Sequence, residues 1–258
     1  MHTGAITGYI DVAQLALYAF WIFFAGLILY LRREDKREGY PLISDSLTGL
    51  KVQGFPPLPA PKFFKLPHGE IVSAPRVEAP EVVHATPTAG WPGAPLHPTG
   101  DPMIDGVGPA SYALRSDHPD LTWDGALPKI VPLRADPIYL LAGEDPDPRG
   151  MPVLGADRLV GGVVRDVWVD RSEAIVRYIE VTVDLAAGLR HVLVPMTMVR
   201  IDDRLRVVKV ASILAAQFAT APVTKNPDVV TLREEDRTCG YFAGGYMYAT
   251  PTRIGPLL

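Results

Sequence analysis

Residues 12–31 read VAQLALYAFWIFFAGLILYL. The stretch carries no charge, and its one strongly polar side chain is Gln14. A helix of this length, rising about 1.5 Å per residue, reaches about 30 Å, the thickness of a bilayer hydrocarbon core. A helix on the surface of a soluble core keeps a polar face. Leu15, Tyr18, Phe20, Trp21, Phe24 and Leu27 leave no such face here. Tyr9, Tyr18 and Tyr30 suit the membrane interface. The expectation is one transmembrane helix over 12–31, with a buried hairpin of a soluble core as the alternative.

The flanks orient it. Residues 1–11 hold no Lys or Arg, whereas Arg32, Arg33, Lys36 and Arg37 follow the span at once. Positive residues stay on the cytoplasmic side, so the short N-terminus is expected outside, in the periplasm, and the bulk of the chain in the cytoplasm. The apolar run is too long for a signal peptide and lacks a basic segment before it. The four cations serve as a stop-transfer signal, and they are also candidates to hold anionic lipid head groups.

About 220 residues remain, enough for one substantial domain or two small ones. A net charge of -4 and a pI near 5.9 argue against duplex nucleic acid as a partner. Cys239 is the single cysteine and forms no internal disulfide, which fits a reducing compartment. Fourteen of the 26 prolines fall between Pro41 and Pro109, so regular helix and central strand are both excluded there. A disordered linker, a proline-rich ligand and an extended arm docked on another surface all fit. The recurrence of Phe55, Phe63, Phe64, Leu66 and Trp91 favours the docked arm, because disordered linkers are poor in such residues.

From Lys129 onward the pattern turns to short runs rich in Val and Ile: KIVPL, PVLG, LVGGVVRDVWVD, AIVRYIEVTVD, RHVLVPMTMVRI and LRVVKV. These read as strands separated by turns. No alternation of strand and helix is visible, so a small antiparallel barrel or curled sheet is expected. Ala211 to Phe218 reads as one or two helical turns. Thr231 and Glu234 have capping-box spacing and open a C-terminal helix, which Gly240, Gly244 and Gly245 weaken.

The chain has no phosphate-binding glycine loop, no HExxH, no CxxC and no GxSxG motif, and its histidines lack metal-ligand spacing. A membrane-tethered enzyme therefore has little support. Asp166, Asp170, Glu173 and Arg177 gather around an expected hairpin turn. By period two, Ile175, Arg177, Ile179 and Val181 share one strand face, where an arginine needs a carboxylate partner such as Asp170 or Glu173. This is either an ordinary surface hairpin or an acid cluster with shifted pKa values that passes protons.

Several of these segments together resemble the H subunit of the purple-bacterial photosynthetic reaction centre. They are YIDVAQLALYAFWIFFAGL from Tyr9, YLRREDKREGYPL from Tyr30, PTGDPMIDGVGPASY from Pro98, KIVPLR, DPRGMPV, DVWVDRSE, and TLREEDRTCGYFAGGYMYATP from Thr231. The resemblance spans the chain in order. It implies a membrane-anchored, mainly β (α+β) fold: a periplasmic segment 1–11, a span 12–31, a juxtamembrane and extended arm 32–110, and a cytoplasmic PRC-type β-barrel with a C-terminal helix over 111–258. It also implies a single-pass protein of the bacterial inner, intracytoplasmic photosynthetic membrane.

The implied role is an accessory one. The H subunit caps the L and M subunits, which hold bacteriochlorophyll, bacteriopheophytin, quinones and non-haem iron, and ligates none of these cofactors itself. It shields the quinone sites and helps deliver protons to the secondary quinone. Antenna polypeptides, a bound cytochrome subunit and membrane lipids are further candidate partners. Carried over by position, Glu173, Asp170, Asp124 and Arg177 match the family's proton-path residues. Paired histidines that follow the matching aspartate in some members are absent, since this chain reads DGALPK from Asp124. His118, Asp117 and Asp120 are then the candidate points of proton uptake. The alternative is a membrane-anchored PRC-barrel adaptor that recruits a cytoplasmic partner and has no part in electron transfer.

Overall fold

The structure, a computed structural model, describes residues 4, 6, 7, 9, 11–43, 49–67, 69–75, 82–91 and 93–254. Most of the expected periplasmic segment 1–11 lies outside the described residues. The chain divides into two units, Met1–Val82 with Ala89–Ala94 and Val83–Thr88 with Pro95–Leu258.

In the first unit α1 spans Val12–Asp35, four residues beyond the expected end. Asp11 caps it, its carboxylate accepting from the Gln14 N–H at 2.7 Å. No residue of α1 is buried, so its apolar surface faces outward all round, as a single membrane pass requires. Two short hairpins follow: β1 (Leu42–Ile43) with β2 (Lys51–Val52), and β3 (Lys62–Lys65) with β4 (Ile71–Ala74). Their brevity follows from the prolines between them, which cannot donate to a ladder.

The polar end of α1 departs from the lipid-facing expectation. Lys36 is 1% exposed. Its ammonium donates to the Gln53 and Pro56 carbonyls, each at 2.6 Å, and lies 5.1 Å from the Tyr40 ring centroid. Arg37 bonds Glu34 at 2.8 Å, the Ala74 carbonyl at 3.2 Å and the Ala60 carbonyl. Lys62 reaches Glu34 at 2.6 Å. Lys36 and Arg37 therefore fasten the following chain to the helix end rather than facing lipid. The proline-rich chain has few backbone donors, and two cations satisfy its carbonyls instead. Arg32, bonded to the Tyr40 hydroxyl at 2.9 Å, and Arg33 remain exposed.

The second unit begins with a small hairpin, β5 (Ala85–Pro87) with β6 (Leu96–Pro98), and a single turn of helix, α2 (Pro102–Asp105). The main sheet contains β7 (Ile130–Pro132), β8 (Pro152–Leu154), β9 (Val160–Asp170), β10 (Ile175–Leu185), β11 (Gly188–Pro195), β12 (Val199–Asp202) and β13 (Val207–Val210). Its order is β11-β10-β9-β8-β13-β12, and β7 pairs with the far end of β9. All pairs are antiparallel except β8 with β13, so the expected all-antiparallel ladder is corrected at one place. Residue alternation marks a strand but carries no direction. Among the described residues no ladder joins β12 to β11, and the path stays open. The run expected as one strand over 190–201 is broken by a 3-10 turn at Met196–Met198, just after Pro195. The helical turns expected over 211–218 are a 3-10 helix at Ala215–Thr220.

The core follows from valine-rich alternation. Val153, Ile179, Val181, Val192, Val194 and Val208 point inward with Ile213, Phe218 and Phe242, all fully buried. At about 25 cal/mol per Å² of apolar area, each such side chain contributes about 1.5–3 kcal/mol. Phe242 comes from α3 (Leu232–Tyr248), capped by the Thr231–Glu234 box as expected. Gly240 and Gly244, which weaken the isolated helix, are its contact points in the fold. A Cβ on Gly240 would stand 2.7 Å from the Ala110 carbonyl oxygen, and one on Gly244 would stand 2.5 Å from the Ala110 Cβ.

Candidate functional site

The site is built on the β9–β10 turn. Asp170 ends β9 with its side chain fully buried. One carboxylate oxygen accepts from the Ser172 and Glu173 N–H groups at 2.9 and 3.1 Å, which closes the turn locally. Ala174 completes the turn at φ 53°. The other oxygen accepts from Arg177 Nε and Nη2 at 3.1 and 3.0 Å and lies 3.6 Å from Lys129 Nζ. Arg177 Nη2 also reaches Glu173 at 2.9 Å. Lys129 stands 4.0 Å from Glu173 and 3.7 Å from Asp120.

Arg177 does not sit in an apolar row. A β-bulge between Val176 and Tyr178 breaks period two, so Arg177 leaves the face of Ile179 and Val181 and is 37% exposed. Both expected partners, Asp170 and Glu173, bind it. Asp166 is a correction: it lies in the strand, buried, and pairs with Arg134 at 3.0 Å, apart from the turn.

The electrostatics divide the acids. Burial pushes Asp170 up, but Arg177, the two turn N–H groups and Lys129 outweigh it and hold the carboxyl below its ordinary value. Glu173 is half exposed. A cleft of about 290 Å³ adjoins them, lined by Asp120, Lys129, Asp170, Arg177, Tyr178 and Glu235 among others. In Glu235 the balance reverses: burial raises its pKa, against the Tyr178 hydroxyl, which donates at 2.9 Å, and the Arg115 charge. The cleft thus offers one carboxyl held ionised and one pushed toward its neutral form, an arrangement able to accept and release protons.

The remaining candidates lie elsewhere. Asp124 sits on an exposed turn, tied to the Thr122 hydroxyl and, at 3.2 Å, to the Ala126 N–H. Those bonds, the hydroxyl first, hold its pKa down. Asp117 pairs with Lys225 and accepts from Thr231 Oγ1 at 3.2 Å, and the Lys225 bond lowers its pKa. His118 is exposed, and its carbonyl accepts from Leu232 N–H at 3.0 Å. Asp117 and His118 thus support the start of α3, while Asp120 alone of the three joins the cleft. Sequence reading missed Lys129 and Glu235. Glu235 had a signal: Thr231 needs only Glu234 for its cap, and Glu235 falls one turn before the apolar Cys239 on the same helix face.

Comparison with known families adds two matches. Residues 4–135 match the model described as photosynthetic reaction centre, H-chain N-terminal region, and residues 143–213 match the PRC-barrel domain. The first covers just over half of the chain. The cleft takes Asp120 and Lys129 from the first region and Asp170 and Arg177 from the second.

Proposed function

Because this chain belongs to the family of photosynthetic reaction-centre H chains, accessory subunits and not enzymes, we propose that it caps the L and M subunits and conducts protons to a quinone they hold. In this reading α1 is a single membrane pass with the β-rich unit on the cytoplasmic side. The pigments, quinones and non-haem iron belong to the other subunits. Arg32 and Arg33 are left to meet anionic lipid head groups.

The observation that carries the proton role is the fully buried Asp170, which shares a cleft with Asp120 and Glu235 and is linked through Arg177 to the half-exposed Glu173. A quinone reduced by two electrons takes up two protons, and a protein cap excludes the water that would bring them. Glu173 accepts protons from solvent and passes them inward. Asp170 stays ionised and keeps a negative field along the way. Arg177 and Lys129 hold both carboxylates in place. Glu235 is a reserve site, since its burial makes it bind a proton more readily than a solvated glutamate does.

The test is Glu173→Gln in the intact complex, followed by flash spectroscopy. The second, proton-coupled electron transfer is expected to slow about tenfold or more, with the first charge separation unchanged. An unchanged second transfer removes Glu173 from the path. The adaptor alternative draws on the 143–213 match alone and leaves the 4–135 match without a role.

A further inference from the structure

Tyr178 is 5% exposed, its ring held among Ile130, Trp168, Leu193 and Val230. Its hydroxyl crosses from β10 to α3 and donates to Glu235 Oε2 at 2.9 Å. A phenol has one hydrogen to give, so toward the Cys239 sulfur, 3.9 Å away, the same oxygen only accepts. The two glutamates at the start of α3 therefore differ. Glu234 uses both oxygens, one on the Lys225 N–H at 2.8 Å and one on the Thr231 N–H at 2.9 Å. Glu235 uses only Oε2. Among the described residues its Oε1 takes no hydrogen bond, yet it is not closed off, and Glu235 lines the Asp170 cleft.

The charges around Glu235 are engaged elsewhere. Arg115 and Asp120 face it from the chain before β7, and Arg177 from β10. Arg115 pairs with Asp236 at 3.3 Å, and Arg177 with Asp170 and Glu173 at 3.0 and 2.9 Å. Lys129, on the same cleft, stands between Asp120, Asp170 and Glu173. No cation is bonded to Glu235, so the Tyr178 hydroxyl is the one direct contact that favours its ionised form, against burial. Burial raises the pKa of the Tyr178 hydroxyl and of the Cys239 thiol, and both stay neutral. Of the three groups only Glu235 changes charge.

Resting on the proton reading above, we propose that Glu235 is a second proton-carrying carboxyl of this cleft, loaded at Oε1, and that Tyr178 is its positioning residue. The phenol holds Oε2 and leaves Oε1 open to the cleft. One proton moves: Oε1 takes it up and gives it back, while the Tyr178 hydroxyl keeps its own hydrogen. Glu173 serves the exposed edge of the cleft and Glu235 the side of α3.

The experiment uses the intact complex and follows the second, proton-coupled electron transfer by flash spectroscopy as pH is raised. Glu235→Gln keeps an acceptor for Tyr178 but carries no proton. The transfer should slow about threefold and lose one pH-dependent step. Tyr178→Phe keeps the packed ring and removes the donor, so Glu235 holds its proton to higher pH. That step should then move upward by about one pH unit. A merely structural tyrosine would lower stability without moving it. The double variant should match Glu235→Gln, because Tyr178 acts through that carboxyl. Two results overturn the proposal while Glu173→Gln still slows the transfer: a pH dependence unmoved in both single variants, or a step that Tyr178→Phe still moves when Glu235 is already glutamine. The Glu173 path then stands alone. Should Glu173→Gln also be silent, the proton reading falls with it.

Discussion

Among the described residues of the N-terminal unit, those buried are Lys36, Pro56, Pro59 and Ala94, and none is a large apolar side chain. In the β-rich unit the fully buried set is Val153, Ile179, Val181, Val192, Phe218, Phe242 and their neighbours. One unit carries its apolar surface outside and fastens itself with cations on carbonyls. The other carries its apolar surface inside and pairs its buried carboxylates Asp166, Asp170 and Glu180 with arginines. A segment without an apolar core owes its order to what covers it. In the proposed function, lipid and neighbouring subunits would do for α1 what Val181 and Phe242 do for the β-rich unit.

Removal of residues 1–36 should have the largest effect on that contrast. It takes away the span and Lys36 but leaves the barrel core whole. The truncated chain is expected to be soluble, folded in its β-rich part and absent from purified complexes. Full co-purification with the pigmented subunits would break the comparison. Next comes Asp170→Asn, which leaves Arg177 and Lys129 beside a buried neutral amide. Allowing for the partial exposure of Arg177, the loss is about 2–3 kcal/mol in urea unfolding of the β-rich unit. Its pH dependence has a defined sign. The folded pKa of Asp170 lies below the ordinary 3.8, so its contribution is full above that value and disappears as pH falls through the lower folded value. The variant should lose that acid limb, and an identical acid profile would place the stabilisation elsewhere.

Lys36→Met acts on the other unit. It strips two carbonyls of their donor, at a local cost of about 1–2 kcal/mol. Tryptic cleavage at Lys51 should accelerate while the melting of the β-rich unit stays constant, and a shared loss of stability would show that the two are not independent. Thr231→Ala is the smallest change. It removes the cap of α3 and should cost about 1 kcal/mol, read as a lower midpoint with an unchanged slope.

The span, the strands and the capped helix were legible because their signals are local: an uncharged run, alternating valines, and Thr231 three residues before Glu234. The features that escaped depend on distant parts of the chain. Lys36 reads as a lipid-facing cation until the Gln53 and Pro56 carbonyls, 17 and 20 residues away, are brought to it. Arg177 reads as part of an apolar row until the register against β9 slips at the bulge. Asp166 reads as a neighbour of the turn until Arg134 claims it from 32 residues away. At the candidate site, the hairpin acids were legible together, whereas Lys129 and Glu235 arrive from other elements. The parallel β8–β13 pair is of the same kind, since alternation is blind to direction.

Helix α3 has a consequence for the order of folding. Gly240, Gly244 and Gly245 each cost a helix about 1 kcal/mol relative to alanine. A peptide of residues 231–249 should therefore be largely unstructured in water, despite its well-formed cap. Those positions are glycine because Ala110 and Ser212 lie where side chains would be. The helix and its seat must then form together, and substitutions on the exposed face of α3 are expected to give low φ-values in folding kinetics.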